Sequence, residues 1–161
     1  MGMNSKHILL IGRIHALAHQ WLTDELAAAG LTGLVPSHGD ILACLLAHGP
    51  ATMNQLATFA HRTRPTTTVL VDKLERLGYI ARQKSPVDAR STIITLTPQG
   101  EALRPAFQDI SNRLISLTLS GLSPQESETL QHLLDKTLTA MQTQLENRRD
   151  TKRPNKSKQH N

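Results

Sequence analysis

Aromatic side chains are scarce in this 161-residue chain: Trp21, Phe59, Tyr79 and Phe107 are all it has, about 2% of residues. A stacking pocket for a phenolic ligand therefore has little to be built from. A single cysteine, Cys44, excludes any intrachain disulfide. No apolar run approaches the roughly 18 residues needed to cross a bilayer. His7 to Leu17 is apolar, but it is short, is interrupted by Arg13 and His15, and lacks the small-residue cleavage site of a secretory signal. The expected location is therefore cytoplasmic, with no membrane partner. Nucleophile–base motifs, Gly-rich phosphate loops and paired catalytic carboxylates are also missing. The chain does not read as an enzyme, and no cofactor is expected.

What is abundant is positive charge, unevenly placed. The formal charge is +5 overall. Between Thr52 and Thr92 seven cations (Arg62, Arg64, Lys73, Arg76, Arg82, Lys84 and Arg90) face Asp72, Glu75 and Asp88, a net of +4. From Glu146 to Asn161 six cations oppose two acids, again +4, so the remainder carries −3. A basic module on an acidic frame is the footprint of a protein that neutralises phosphates.

That module has an order. Met53 to Ala60 has the spacing of a short helix with apolar Leu56, Ala57, Phe59 and Ala60. His61-Arg62-Thr63 breaks it, and a second helix is expected from about Arg64 to Leu77. Thr63 suits the N-cap, and Pro65 falls in the first turn, where its missing N–H does no harm. Leu70, Val71, Leu74 and Leu77 recur at helical spacing and form the buried stripe. Arg64, Thr66, Thr68, Val69 and Lys73 take the opposite face. Gly78 ends the helix. An ordinary helical hairpin fits this spacing as well as a helix-turn-helix does.

The residues that follow favour the latter. Leu77 to Ala81 and the strand-like Ile93, Ile94 and Leu96 flank a turn-prone segment containing Pro86, which predicts a β-hairpin with Asp88 and Arg90 at its tip. An Arg on such a tip, oriented by an Asp two residues away, suits insertion into the narrow minor groove of DNA. Alone, the segment fits a surface hairpin with an incidental ion pair equally well. Directly after a polar, basic helix it makes a winged helix-turn-helix.

Leu77-Gly78-Tyr79-Ile80, the Asp88-x-Arg90 wing and the Leu96-Thr97-Pro98-Gln99-Gly100 exit resemble the MarR family of bacterial transcriptional regulators, over roughly Ile8 to Leu145. The resemblance implies an obligate homodimer with a winged helix in each subunit, usually a repressor, often released from its operator by a small molecule. The expected fold is mainly α with a small β-hairpin wing: one domain over 1–147, with the winged helix at about 37–97 and dimerisation helices at about 5–30 and 98–147.

In the frame, Ile11, Ile14, Ala18, Trp21, Leu22 and Leu26 mark a first helix ending at Gly30. Ser37 is the expected N-cap of a second, through Ala47. Thr97-Pro98 is expected to open a long helix ending at Gly121, with Pro105 as a kink or break inside it. Ser123-Pro124-Gln125-Glu126 is a capping box that starts a last helix bearing Leu130, Leu133, Leu134, Leu138, Met141 and Leu145. The first and last helices have more apolar surface than one small wing domain buries. A two-fold dimer interface is one use for it, and a self-contained bundle is another. Residues 148–161 lack apolar periodicity and read as a basic, disordered tail that either solubilises the chain or adds phosphate contacts.

Cys44 lies on the apolar side of its helix, where a thiol is inert rather than redox-active. His15 and His19 are four apart, which is metal-ligand spacing, but no further ligand completes a set. The residues expected to meet double-stranded DNA, with a palindromic operator, are therefore Arg64, Thr66, Thr68, Val69 and Lys73 on the recognition helix, Arg82 and Lys84 near the backbone, and Asp88 and Arg90 at the wing tip. A winged-helix module that binds protein rather than DNA is the alternative. Salt dependence separates the two, because a DNA binder loses affinity steeply between low and moderate salt as counterions are released.

Overall fold

A computed structural model describes residues 6–85 and 91–151. The chain divides into two compact units, one through Ile115 and one from Ser116. In chain order the elements are α1 (Lys6–Ala28), α2 (Pro36–His48), β1 (Ala51–Thr52), α3 (Met53–Phe59), α4 (Arg64–Arg76), β2 (Ile80–Lys84), β3 (Thr92–Leu96), α5 (Pro98–Glu101), α6 (Arg104–Leu119) and α7 (Pro124–Thr151). The architecture is mostly helical with a small antiparallel sheet, as expected.

The core of the first unit is built from α2, α3, α4 and the sheet. Ile41, Leu42, Leu45, Leu56, Val71, Leu74, Ile80 and Ile94 are essentially inaccessible to water. Val71 and Leu74 come from the expected stripe of α4, while Leu70 and Leu77 pack partly buried at its margin. Thr67 is equally buried. Its hydroxyl donates to Thr63 O at 3.0 Å, which removes the cost of a buried polar group.

The sheet has three strands where two were expected, in the order β1-β3-β2. Ala51 pairs with Ile94 and Thr52 with Ile93. β2 and β3 pair from Ile80↔Leu96 to Lys84↔Thr92, and the Ser85 N–H donates to Ser91 O at 2.8 Å beyond them. A strand of two residues has no periodicity to detect, which is why β1 escapes the sequence pattern.

Two helix boundaries also differ. α2 starts at Pro36 with Val35 as N-cap, so Ser37 lies inside the first turn. His38 takes the capping part: its Nδ1 accepts from the Val35 N–H at 3.1 Å. The long helix expected after Thr97 is two helices, α5 and α6, parted at Ala102 and Leu103. Leu103 turns into the core at this break, and the Phe107 N–H donates to Leu103 O at 3.0 Å to begin α6. Pro105 thus occupies the second position of a new helix, where no N–H is required.

The wing exit has a geometric rationale. The Thr97 hydroxyl donates to Gly78 O at 2.6 Å and accepts from the Gly100 N–H at 3.1 Å, so one side chain caps α5 and ties it to the end of α4. A Cβ on Gly100 would lie 2.1 Å from Tyr79 O. Only glycine allows that approach.

In the second unit, Ser123 and Glu126 form the expected capping box: the Ser123 N–H donates to Glu126 Oε2 at 2.8 Å and the Glu126 N–H to Ser123 Oγ at 3.3 Å. The Ser123 hydrogen bonds hold the Glu126 carboxyl below its ordinary pKa. α7 continues to Thr151, past the end expected near 147. The rest of the basic tail lies outside the described residues.

Candidate nucleic-acid interface

Thr63 organises the entry to α4. Its hydroxyl accepts from the Thr66 N–H at 3.4 Å and lies 2.9 Å from Thr66 Oγ1. The preceding turn passes through His61, whose φ of 50° is left-handed for a residue with a side chain. Arg62 fastens this turn to α2 by donating to Ser37 Oγ at 3.0 Å and pairing with Asp40 at 3.5 Å. The helix-turn-helix angle is therefore held by polar contacts as well as by the core.

On the outer face of α4, Arg64 and Thr66 are exposed and Lys73 is half-buried. Val69 is 66% exposed. Thr68 is half-buried. Its hydroxyl donates to Arg64 O at 2.9 Å, so it offers an outside partner its acceptor lone pair and its methyl. Lys84 is exposed at the end of β2. Among the described residues Arg64, Lys73 and Lys84 have no ion-pair partner. Arg64 and Thr68 lie on one flank of the solvent side of α4, Thr66, Val69 and Lys73 on the other, and Lys84 stands at the end of β2.

Arg82, expected near the DNA backbone, is engaged within the chain. Its guanidinium donates to Asp72 Oδ1 at 2.5 Å and also to Glu75 Oε2, both carboxylates belonging to α4. These bonds, the one to Asp72 foremost, raise its pKa further above the ordinary arginine value. The expected wing-tip pair, Asp88 and Arg90, lies outside the described residues.

A cleft of about 510 Å³ runs beside α4, lined by Thr52, Met53, Asn54, Arg64, Thr68, Arg82, Ser91, Thr92 and Ile94. It joins the start of α3, the first half of α4 and the base of the wing. Asn54 and Thr92, both exposed, were not singled out from the sequence. The register that brings Thr92 opposite Lys84 is not visible without the paired strands.

Elsewhere, Cys44 is buried, and burial pushes its thiol pKa up. His15 and His19 place their ring centroids 6.2 Å apart, but the described residues contain no group of three or more side chains able to hold a metal ion. Among the described residues no helix is long and apolar enough to cross a membrane.

The sequence pattern that defines the MarR family matches residues 34–92. The uncharacterised HTH-type transcriptional regulator YkoM of Bacillus subtilis (strain 168) is 33% identical over 104 residues, 65% of this chain and 68% of the relative. The HTH-type transcriptional regulator MgrA of Staphylococcus aureus is 30% identical over 100 residues, covering 62% and 67%. Among solved structures, the MepR–DNA complex of S. aureus superposes with a TM-score of 0.75 at 30% identity, covering 84% of this chain and 97% of that one.

Proposed function

This chain belongs to the MarR family and is a DNA-binding transcriptional regulator, and from that premise we propose that it acts as a two-fold homodimer that represses promoters until a small molecule releases it. The observation that supports the DNA contact is the solvent side of α4, which carries exposed Arg64, Thr66 and Val69 and half-buried Thr68 and Lys73, next to the wing strand that bears Lys84. In this reading Thr66, Thr68 and Val69 meet base edges in the major groove, Arg64 and Lys73 meet bases or phosphates, and Lys84 approaches the backbone. Arg90, oriented by Asp88, enters the minor groove. MepR, which shares this fold and 30% of its residues, is solved on DNA.

Dimerisation is supported by apolar surface. On α1, Ile8, Leu9, Leu10, Ile11, Ile14 and Leu17 are exposed, Leu17 by 71%. On α7, Leu130, Leu133, Leu134, Leu138, Met141 and Leu145 are each at least 41% exposed. Such surface in a lone chain marks an association face. A two-fold pair would set recognition helices about 34 Å apart and read an imperfect palindrome. The proposed release by a small molecule has a candidate seat in an apolar cavity of about 150 Å³ among α1, α2 and α6, lined by Leu22, Leu26, Phe107 and Ile110.

The deciding experiment selects duplexes from a random pool with the full-length protein and measures affinity against salt. The expected result is a palindromic consensus whose binding weakens steeply between low and moderate salt. Lys73→Ala should weaken all duplexes about equally and lower the salt slope by about one, whereas Thr66→Ala and Thr68→Ala should flatten preference among operator variants. Recovery of no consensus, with salt-independent association, would favour the protein-binding alternative, for which no structural observation speaks.

A further inference from the structure

We propose that Arg82 is a positioning residue that locks the wing to the recognition helix, rather than a ligand of DNA phosphate; the inference rests on the DNA-binding reading above. Asp72 and Glu75 are three residues apart on α4 and so share one face of that helix. Arg82 reaches both from β2, Nη2 to Asp72 and Nη1 to Glu75. A guanidinium is a planar fork with donors in two directions, and both directions are taken.

Charge decides between the two roles. The trio of Arg82, Asp72 and Glu75 sums to −1, so it has no surplus positive charge to offer a phosphate. Turning Arg82 towards DNA would strip the partner from two carboxylates on the recognition helix, and both would then repel the backbone. Arg64 and Lys84, by contrast, have no described carboxylate to leave behind.

Position explains why a lock is needed there. Ile80 and Arg82 alternate along β2 and project to the same side. Ile80 is buried at the foot of the strand, whereas Gln83 and Lys84 beyond it are exposed. Arg82 is therefore the last side chain of β2 that fastens the ribbon to α4 before the chain enters the wing tip. Without it the ribbon would open more readily and lose its aim relative to the helix that reads the major groove.

The test uses full-length Arg82→Gln and, separately, Asp72→Asn/Glu75→Gln, with the duplex selected by the wild-type protein as probe. Arg82→Gln should lower the ratio of operator to nonspecific affinity by about tenfold or more while leaving the salt slope within about half a unit of wild type. The double carboxylate variant keeps Arg82 and removes two charges that repel DNA, yet it should lose the same discrimination. A salt slope lower by about one with the ratio intact would make Arg82 a phosphate ligand and overturn the proposal. So would wild-type behaviour of Arg82→Gln, or improved operator binding with unchanged ratio in the double variant. Hydrogen exchange supplies a reading that does not need DNA: amides of β2 and β3 should exchange faster in Arg82→Gln while those of α2 stay protected. If the wild-type protein selected no duplex, the DNA-binding reading would fall by itself, and unchanged protection of the strands would overturn the lock.

Discussion

A methyl group at position 100 would have to occupy space that the Tyr79 carbonyl oxygen already fills, 2.1 Å from its centre. The obstacle is backbone, so no side chain can rotate away, and α5 or the β2 entry has to shift. Overpacking of this kind costs about 1–3 kcal/mol. Gly100→Ala should lower the unfolding free energy measured in urea accordingly, whereas Gly121→Ala, whose Cβ would meet open space, should change it by less than about 0.5 kcal/mol. His38 makes a second prediction of residue scale. It is buried, and burial first, then the nearby Lys73 charge, lowers its pKa from 6.5. The neutral ring also accepts the Val35 N–H at the start of α2, a bond that protonation at Nδ1 destroys. With the folded pKa below the unfolded one, its contribution is fully present above about pH 6.5 and is lost as pH falls through the lower folded value. Melting temperature should therefore drop on acidification below that point, and His38→Gln should flatten the drop; an equally steep fall in the variant would assign the effect to the other histidines.

Among elements, those with strong local signals were legible and those defined by distant partners were not. α4 begins after Thr63 and ends before Gly78 because a capping hydroxyl and a glycine at φ 81° are local chemistry. The β2–β3 hairpin announced itself by a turn-prone segment between apolar runs. β1, two residues long, exists because Ala51 and Thr52 find Ile94 and Ile93 more than 40 positions away. The α5–α6 break is of the same kind: Leu103 turns into the core, and Arg104 donates to Leu46 O of α2 at 2.6 Å and to Glu101 at 2.7 Å. Of the candidate site, the face of α4 could be read from its 3.6-residue period. The engagement of Arg82 by Asp72 and Glu75 could not, since it depends on how β2 folds back over the helix. The break carries its own prediction. A proline in mid-helix costs about 3 kcal/mol, so replacing it would stabilise strongly. Here Pro105 sits in a first turn, where it restricts only the unfolded chain, and Pro105→Ala should instead lower stability by up to about 1 kcal/mol. Chemical denaturation reads the sign directly, and a gain of more than about 2 kcal/mol would mean that α5 and α6 are one helix held apart.

The largest scale is set by what the lone chain leaves uncovered. In the first unit α1 is anchored at its C-terminal half, where Leu26 is buried, Arg113 of α6 pairs with Glu25 at 2.6 Å and the same guanidinium lies 5.5 Å from the Trp21 ring centroid. Its N-terminal half exposes six large apolar side chains, half of Ile8 among them. Among the described residues of this unit nothing covers that stripe, and a second copy is a partner with matching chemistry. α7, taken by itself, has the same character: a 28-residue helix whose leucines are open along its length. At about 25 cal/mol per Å² of apolar surface, covering these two stripes in a symmetric pair is the main force available for association. Ending the chain before Ser123 should therefore abolish dimerisation and, through loss of the second half-site, operator binding, while leaving the core of α2, α3 and α4 folded. Ending it after Asn147 should keep the dimer and soften nonspecific binding at most, because that cut removes six cations and no leucine of the stripe. Light scattering of both truncations at micromolar concentration, beside the full-length chain, reads the outcome; a full-length monomer would show that these faces await a different partner.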